Sequence, residues 1–332
     1  MVAAEAAESA WLATALAVPL GLASSAVLVA LGLRLPGRGL GEYTREILGS
    51  WPGRVIGLGY VLTFLWISAV DHRQLGELII TATMPETPLE VILIMMAALA
   101  AAGAFLGLEV LARAGGAVLV TIALPAPLVI GALLGRMRPE FLFPLLAGGV
   151  KPLLRGTLAA WAPLGELVFM ASIVPHLNRQ RDLAWVYPLG VVLAGLGGVV
   201  TVASYQAFFG AAELARLNLP AMIFVREVVV ARFLTGLDPA LMAIWVTGLF
   251  LKGTLFFYLA VTELAGWLNL AEYRPLVLPA AALLVVGGLR VADNVVDLRE
   301  ILRSTLPAVM LVTGLGVPVL LLLVAAARGV RG

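Results

Sequence analysis

Long apolar runs broken by short polar connections set the pattern of this chain. Nine runs, most of them near the roughly 20 residues a helix needs to cross the hydrocarbon core, read as spanning segments. They lie at about 10–33, 55–82, 89–111, 115–135, 157–176, 184–209, 239–265, 275–290 and 305–327. Backbone groups in lipid pair either within a helix or around a closed barrel, and runs of this length select helices. The pattern predicts an all-α, polytopic transmembrane helical bundle. No polar stretch exceeds a loop, so residues 1–332 read as a single integral membrane domain.

The connections carry their own signals. RLPGRGLGEYTREILGSWPGR holds four arginines, and Gly41 to Leu48 within it reads as a short interfacial helix with Tyr43 and Trp51 at headgroup depth. PETP at 85–88 is a turn, and Pro125 and Pro127 predict a bend in the fourth run. Residues 136–156 read as a re-entrant or interfacial stretch. Residues 211–238 are too charged to span and read as interfacial helices broken at Pro220. RVADNVVDLREILRS is a charged amphipathic connection before the last run, which Pro307 or Pro318 bends.

Three runs depart from simple apolar character, and they hold the candidate chemistry. TLAAWAPLGELVFMASIVPH at 157–176 contains Pro163, Gly165 and Glu166, so it is where a spanning helix most easily breaks. Such breaks free backbone groups near the midplane, which is how many transporters build a substrate site. Glu166 can hold the amino group of a ligand, carry a coupling proton or form a structural ion pair. Trp161 and Phe169 flank the break and are placed near the site; the other aromatics in spans read as packing or belt residues. Lys252 sits at the centre of the seventh run and is either an ion- or proton-coupling group or a partner for Glu166 or Asp71. The second run holds Asp71, His72, Arg73 and Glu77. Asp71 joins Lys252 as a coupling candidate, although a solvated helix end is the simpler reading of this group. Arg73 and Glu77 stand four apart and can pair.

Composition narrows the class. The chain is 61% hydrophobic and 13% charged, with a mean hydropathy of +1.03, against about 25% charged in a soluble domain. Cysteine is absent and there are two histidines, His72 and His176, so no metal site is expected. No catalytic residues and no cofactor are expected either, because no triad order, phosphate-cradling glycine loop or metal cluster occurs. A net charge of +2 without a dense basic run excludes nucleic acid as a partner and leaves the lipid bilayer. The alternate loops carry ten Lys and Arg on each side; the compact HLNRQRD loop and the tail favour the cytoplasm for their side.

An ordered set of stretches carries a resemblance: ESAWLATALA, GLGEYTREILGSWPGRVIGLGYVL, DHRQLGELIITATMPETPLEVI, GLEVLARAGG, FLFPLLAGGVKPLLRG, NLPAMIFVREVVVARFLTGLD and WVTGLFLKGTLFFYLAV. Together they resemble the spore germination permease family, the B subunits of nutrient germinant receptors, a branch of the amino acid-polyamine-organocation transporters. The resemblance implies an inverted-repeat, amino acid permease-like fold of ten helices, with helices 1 and 6 broken at a central site. Counting back from the matches, the first run here corresponds to family helix 2. Nine helices are then expected, with family helix 1 missing and 157–176 standing as helix 6. The implied function is a membrane subunit that binds a small germinant such as an amino acid at Trp161, Pro163, Gly165, Glu166 and Phe169. It would signal to A and C type receptor subunits in the spore inner membrane. A proton-coupled amino acid transporter and a non-binding structural subunit are the alternatives.

Overall fold

The computed structural model describes residues 2–35, 37–177, 179–217, 220–227 and 238–329, and the side chains of all of these except Phe169, Gln180 and residues 238–241. In chain order the helices are α1 (Val2–Arg34), α2 (Leu40–Leu48), α3 (Ser50–Ala82), α4 (Leu89–Leu106), α5 (Leu108–Ala123), α6 (Pro125–Leu133) and α7 (Val150–Gly165). A 3₁₀ helix, Glu166–His176, extends α7. Then come α8 (Leu183–Phe209), α9 (Ala211–Arg216), α10 (Pro220–Arg226), α11 (Asp238–Trp267), α12 (Arg274–Arg290) and α13 (Val295–Arg328). Among the described residues there is no strand, and eight helical runs are long and apolar enough to cross a membrane. The eighth expected span, 275–290, is α12, whose 17 residues leave it outside these eight. The protein is an all-α polytopic membrane bundle.

The boundaries differ from the apolar pattern in ways with physical causes. Gly107, at φ +89°, ends α4 before the expected 111 and starts α5. The α-helical pattern lapses at Leu124, which keeps right-handed helical dihedrals, and resumes at Pro125 as α6. The stretch 136–156 is not re-entrant throughout: after 3₁₀ turns at Leu134–Arg136 and Pro139–Leu142, α7 begins at Val150. Pro152 lies in its first turn, where backbone N–H groups have no intrahelical acceptor. Lys151 and Arg155 point outward there. The charged connection before the last run is itself helical. Asn294 caps it, its side-chain oxygen accepting from the N–H groups of Val296 and Asp297 at 2.8 and 3.0 Å. Within the stretch 211–238, read as interfacial helices, the described residues form α9 and α10; residues 218–219 and 228–237 lie outside the described residues.

The chain divides into two compact units. The first takes residues 1–39, 125–241 and 302–332. Its packing relies on small residues, since lipid offers no hydrophobic drive between helices. Ala3, Ala6, Ala10 and Ala13 are buried on α1, and a Cβ on Gly156 of α7 would meet the Ala6 methyl at 2.5 Å. Gln206 of α8, fully buried, ties the ends together. Its amide nitrogen donates to the carbonyls of Glu8 and Phe141 at 2.7 and 3.0 Å, and its oxygen accepts from Trp11 N–H at 3.3 Å. Arg303 pairs with Glu5.

The second unit takes residues 40–124 and 242–301. Here α2 folds back on α3 through Gly49, at φ +94°, and Gly53, where a Cβ would lie 2.4 Å from Arg45 Cα. Glu263 of α11 accepts the Gly41 N–H at 3.2 Å and so places an anion at the start of α2. The Trp267 indole donates to the Arg54 carbonyl at 2.9 Å. Tyr43 is buried instead of reaching headgroups; burial, and then the negative charge of Glu42, pushes its phenol up to about 12. Trp51 is exposed.

Candidate functional site

The first unit holds most of the candidate binding residues. Pro163 lies inside α7 and removes the donor that the Ala159 carbonyl would otherwise receive. The chain does not unwind there. Gly165 and Glu166 keep right-handed helical dihedrals, and Glu166 N–H still donates to the Ala162 carbonyl. What changes is the helix type: from Glu166 to His176 the chain winds as a 3₁₀ helix of 11 residues, where runs beyond 3–4 are uncommon. The break is thus a change of winding rather than a gap in the helix.

Gly165 is where two irregular helices touch. A Cβ there would lie 3.2 Å from the Trp161 ring and 3.4 Å from Met310 Cβ. Facing it, Gly314 sits within a π-helical turn of α13, Leu311–Gly316, and its Cβ position is 3.2 Å from the Gly165 carbonyl oxygen. Pi-helical turns inside α-helices are frequent at functional sites. Trp161 is fully buried and Glu166 is 6% exposed. Trp161 fills space against Gly165 more than it lines an opening. Its indole N–H and the Ser172 hydroxyl are buried and have no hydrogen-bond partner among the described residues. Pro163 is exposed. Phe169 falls in the 3₁₀ helix, and its side chain lies outside the described residues.

The second unit brings Asp71 and Lys252 together. Lys252 Nζ of α11 lies 3.1 Å from Asp71 Oδ1 of α3. Asp71 is 3% exposed and the Lys252 side chain 36%. The reading of Asp71, His72, Arg73 and Glu77 as a solvated helix end is corrected: α3 runs on to Ala82, and residues 68–73 are all buried. Six successive buried residues cover the full turn of a helix, so protein surrounds α3 at this level. The charges are tolerated because each is compensated inside. Arg73 pairs with Glu77 at 2.8 Å and donates to the carbonyls of Gly288 and Leu289 on α12 at 3.3 and 3.4 Å.

Two organising residues carried no signal in the chain. Gln206 has no formal charge and sits in an apolar run. Ser68, fully buried, donates to the Gly253 carbonyl at 2.8 Å and pins α3 to α11. Only the packing reveals either.

Comparison with known proteins gives a consistent result. A family model described as spore germination protein matches residues 1–293. The chain is 26% identical over 291 residues to spore germination protein KB of Bacillus subtilis (strain 168), covering 86% of this chain and 78% of that protein. It is 24% identical over 226 residues to spore germination protein XB of Bacillus anthracis, covering 66% of this chain and 63% of that protein. To the putative spore germination protein YfkT of Bacillus subtilis (strain 168) it is 26% identical over 286 residues, covering 84% and 77%.

Proposed function

The chain belongs to the spore germination protein family, and from that premise we propose that it is the B-type membrane subunit of a nutrient germinant receptor. It acts as one permease-like domain in the spore inner membrane. It binds a small germinant, an amino acid by its chemistry, along Trp161 to Phe169, and passes the event to A and C type subunits. The observation that carries this reading is the change of winding at Gly165–Glu166. A carboxylate with 6% exposure follows a proline and a glycine inside a spanning segment, against a π-helical turn of α13. A buried acid in a span is a functional position by default. The amino group of a zwitterion supplies the positive charge that such a carboxylate accepts.

The test is germination of spores carrying Glu166→Gln at native subunit levels. The expected outcome is a nutrient response displaced to at least tenfold higher germinant concentration. An unchanged dose response and unchanged ligand affinity would refute the site.

A second reading is favoured by one observation, the pairing of buried Asp71 with the partly exposed Lys252. Paired ionisable groups inside spans are common in proton-coupled carriers, and the alternative is a proton-coupled amino acid transporter. Uptake of labelled amino acids into proteoliposomes under a pH gradient separates the two. Accumulation against the gradient's control supports transport, and its absence supports the receptor subunit. Thermal-shift screening against amino acids addresses the third possibility, a purely structural subunit, because a ligand that binds only the native state raises its apparent stability.

A further inference from the structure

The connection between the 3₁₀ helix and α8 holds a pocket of about 430 Å³, and the described residues that line it are Leu177, Arg179, Asp182 and Val186. One space thus has a cationic, an anionic and two apolar residues in its wall. Local winding brings them together. A 3₁₀ turn, Gln180–Asp182, leads into α8, and the Asp182 N–H donates to the Arg179 carbonyl at 3.1 Å. Asp182 and Val186 stand four apart, on one face of a helix. Asp182 occupies the cap position of α8, yet its carboxylate makes no cap hydrogen bond. Oδ1 instead accepts from the Trp185 indole N–H at 3.3 Å. A carboxylate offers about four lone-pair sites, so this bond leaves it able to accept more. Arg179 is exposed, and a guanidinium presents its N–H donors in a planar fork that suits a phosphate.

What the pocket opens onto decides the class of ligand. Leu177 and Val186 are both exposed. Along α8 the exposed apolar residues Val186, Leu189, Leu193, Leu196 and Val200 follow at intervals of three and four, so they form one stripe down a spanning helix. In a membrane such a stripe meets acyl chains. Trp185, exposed beside it, has the amphipathic ring that is enriched at headgroup depth. A soluble zwitterion would engage the two charged residues and leave the apolar track unused. A molecule with a charged head and an apolar tail engages both.

We propose that this pocket is a phospholipid site, selective for a head that carries a phosphate and a primary ammonium, as phosphatidylethanolamine does. Arg179 holds the phosphate and Asp182 accepts from the ammonium. Leu177 and Val186 take the first methylenes of an acyl chain, which continues along Leu189 and Leu193. Phosphatidylcholine brings the same phosphate and chains, but its ammonium carries methyl groups and has no N–H for Asp182. The inference goes beyond the germinant reading, because it uses none of residues 161–169 and stands if Glu166 binds nothing.

The test is native mass spectrometry of the full chain, released from detergent micelles that contain equimolar phosphatidylethanolamine and phosphatidylcholine with identical acyl chains. The two adducts are read in one spectrum, so their ratio does not depend on how much protein survives a substitution. The native chain is expected to carry phosphatidylethanolamine over phosphatidylcholine at least fivefold. Asp182→Ala is expected to bring that ratio within twofold of unity, and Arg179→Gln to reduce both adducts at least threefold relative to the bare chain. Arg181→Gln, at an exposed arginine of the same connection but outside the described lining, is expected to change neither. Equal adducts on the native chain would overturn the proposal, as would a preference that survives Asp182→Ala. Displacement of the lipid by free phosphoethanolamine at the same concentration would overturn it in favour of a soluble ligand.

Discussion

Lys252→Met keeps an unbranched apolar stem and removes the ammonium that lies 3.1 Å from Asp71 Oδ1. The carboxylate, 3% exposed, is left without that cation. Breaking a buried pair from one side costs about 3–5 kcal/mol, because the remaining charge stays desolvated. Protonation sets a ceiling on that cost: neutralising a carboxylate of ordinary pKa, about 3.9, takes about 4 kcal/mol at pH 7 and about 1.5 kcal/mol at pH 5. The reverse change, Asp71→Asn, takes the carboxylate from a lysine whose side chain is 36% exposed and can turn toward polar surroundings, so it costs less, about 1–3 kcal/mol. Removing both charges lets an amide and a thioether meet, and the double variant recovers most of the loss. The assay is unfolding in detergent micelles at pH 7 and pH 5 for the four members of the cycle. The expected order at pH 7 is native and double variant above Asp71→Asn, with Lys252→Met lowest, and the gap for Lys252→Met narrows at pH 5. A double variant as unstable as Lys252→Met, or a Lys252→Met penalty independent of pH, would refute the account of a desolvated carboxylate stabilised by the Lys252 ammonium.

The remaining predictions use the same packing logic. Gly156→Leu drives a side chain into Ala6, whose methyl is already 2.5 Å from the Cβ position, and should cost about 1–3 kcal/mol; Gly59→Ala, with open space around it, is expected to be neutral or stabilising in the same unfolding assay. Gln206→Ala orphans the acceptors at Glu8 and Phe141 and should destabilise by about 1–3 kcal/mol, with faster hydrogen exchange at the start of α1 as the local readout. Asn294→Ala removes the cap of α13 and costs about 1 kcal/mol, whereas Asn294→Asp restores most of it. Gly314→Val crowds the Gly165 carbonyl, 3.2 Å from its Cβ position, and should impair nutrient response in spores while the subunit still accumulates; a normal response would remove the Gly165–Gly314 contact from the signalling path.

How much was legible divides along one physical line. Apolar run length reports how much hydrocarbon a segment can cross, so the helical runs over Ala10–Arg34, Leu183–Phe209 and Val295–Arg328 were largely readable, as was an interruption ahead of Pro125. Helix starts were less so: α7 begins at Val150 within VKPLLRG because Lys151 and Arg155 point outward, and a hydropathy pattern counts a charge without knowing where it points. Partners were not readable at all. Asp71 and Lys252 are 181 residues apart, and the chain offered both Glu166 and Asp71 as possible partners for the lysine. The misreading of residues 71–77 as a solvated end has the same origin. A run of Asp, His, Arg and Glu looks wet when each charge is priced alone, and becomes tolerable inside only when Lys252, Glu77 and the carbonyls of Gly288 and Leu289 are brought to it. At 157–176 the residues that interrupt a helix were visible, but the form of the interruption was not. Proline and glycine permit a break, and whether the chain unwinds or merely changes its winding depends on what packs beside it. Gly314, in a π-helical turn, approaches the Gly165 carbonyl closely enough that the helix there is held on both sides. An unwound segment would need its freed groups met by ligand or water, whereas a 3₁₀ helix keeps most of them paired and leaves side chains such as Trp161 and Ser172 with unmet polar atoms instead. Recognition at this site should therefore depend on side chains more than on bared backbone. Trp161→Phe, which deletes one N–H and little volume, is the substitution that tells the two apart: a germinant affinity reduced at least fivefold fits side-chain recognition, and an unchanged affinity fits a backbone site.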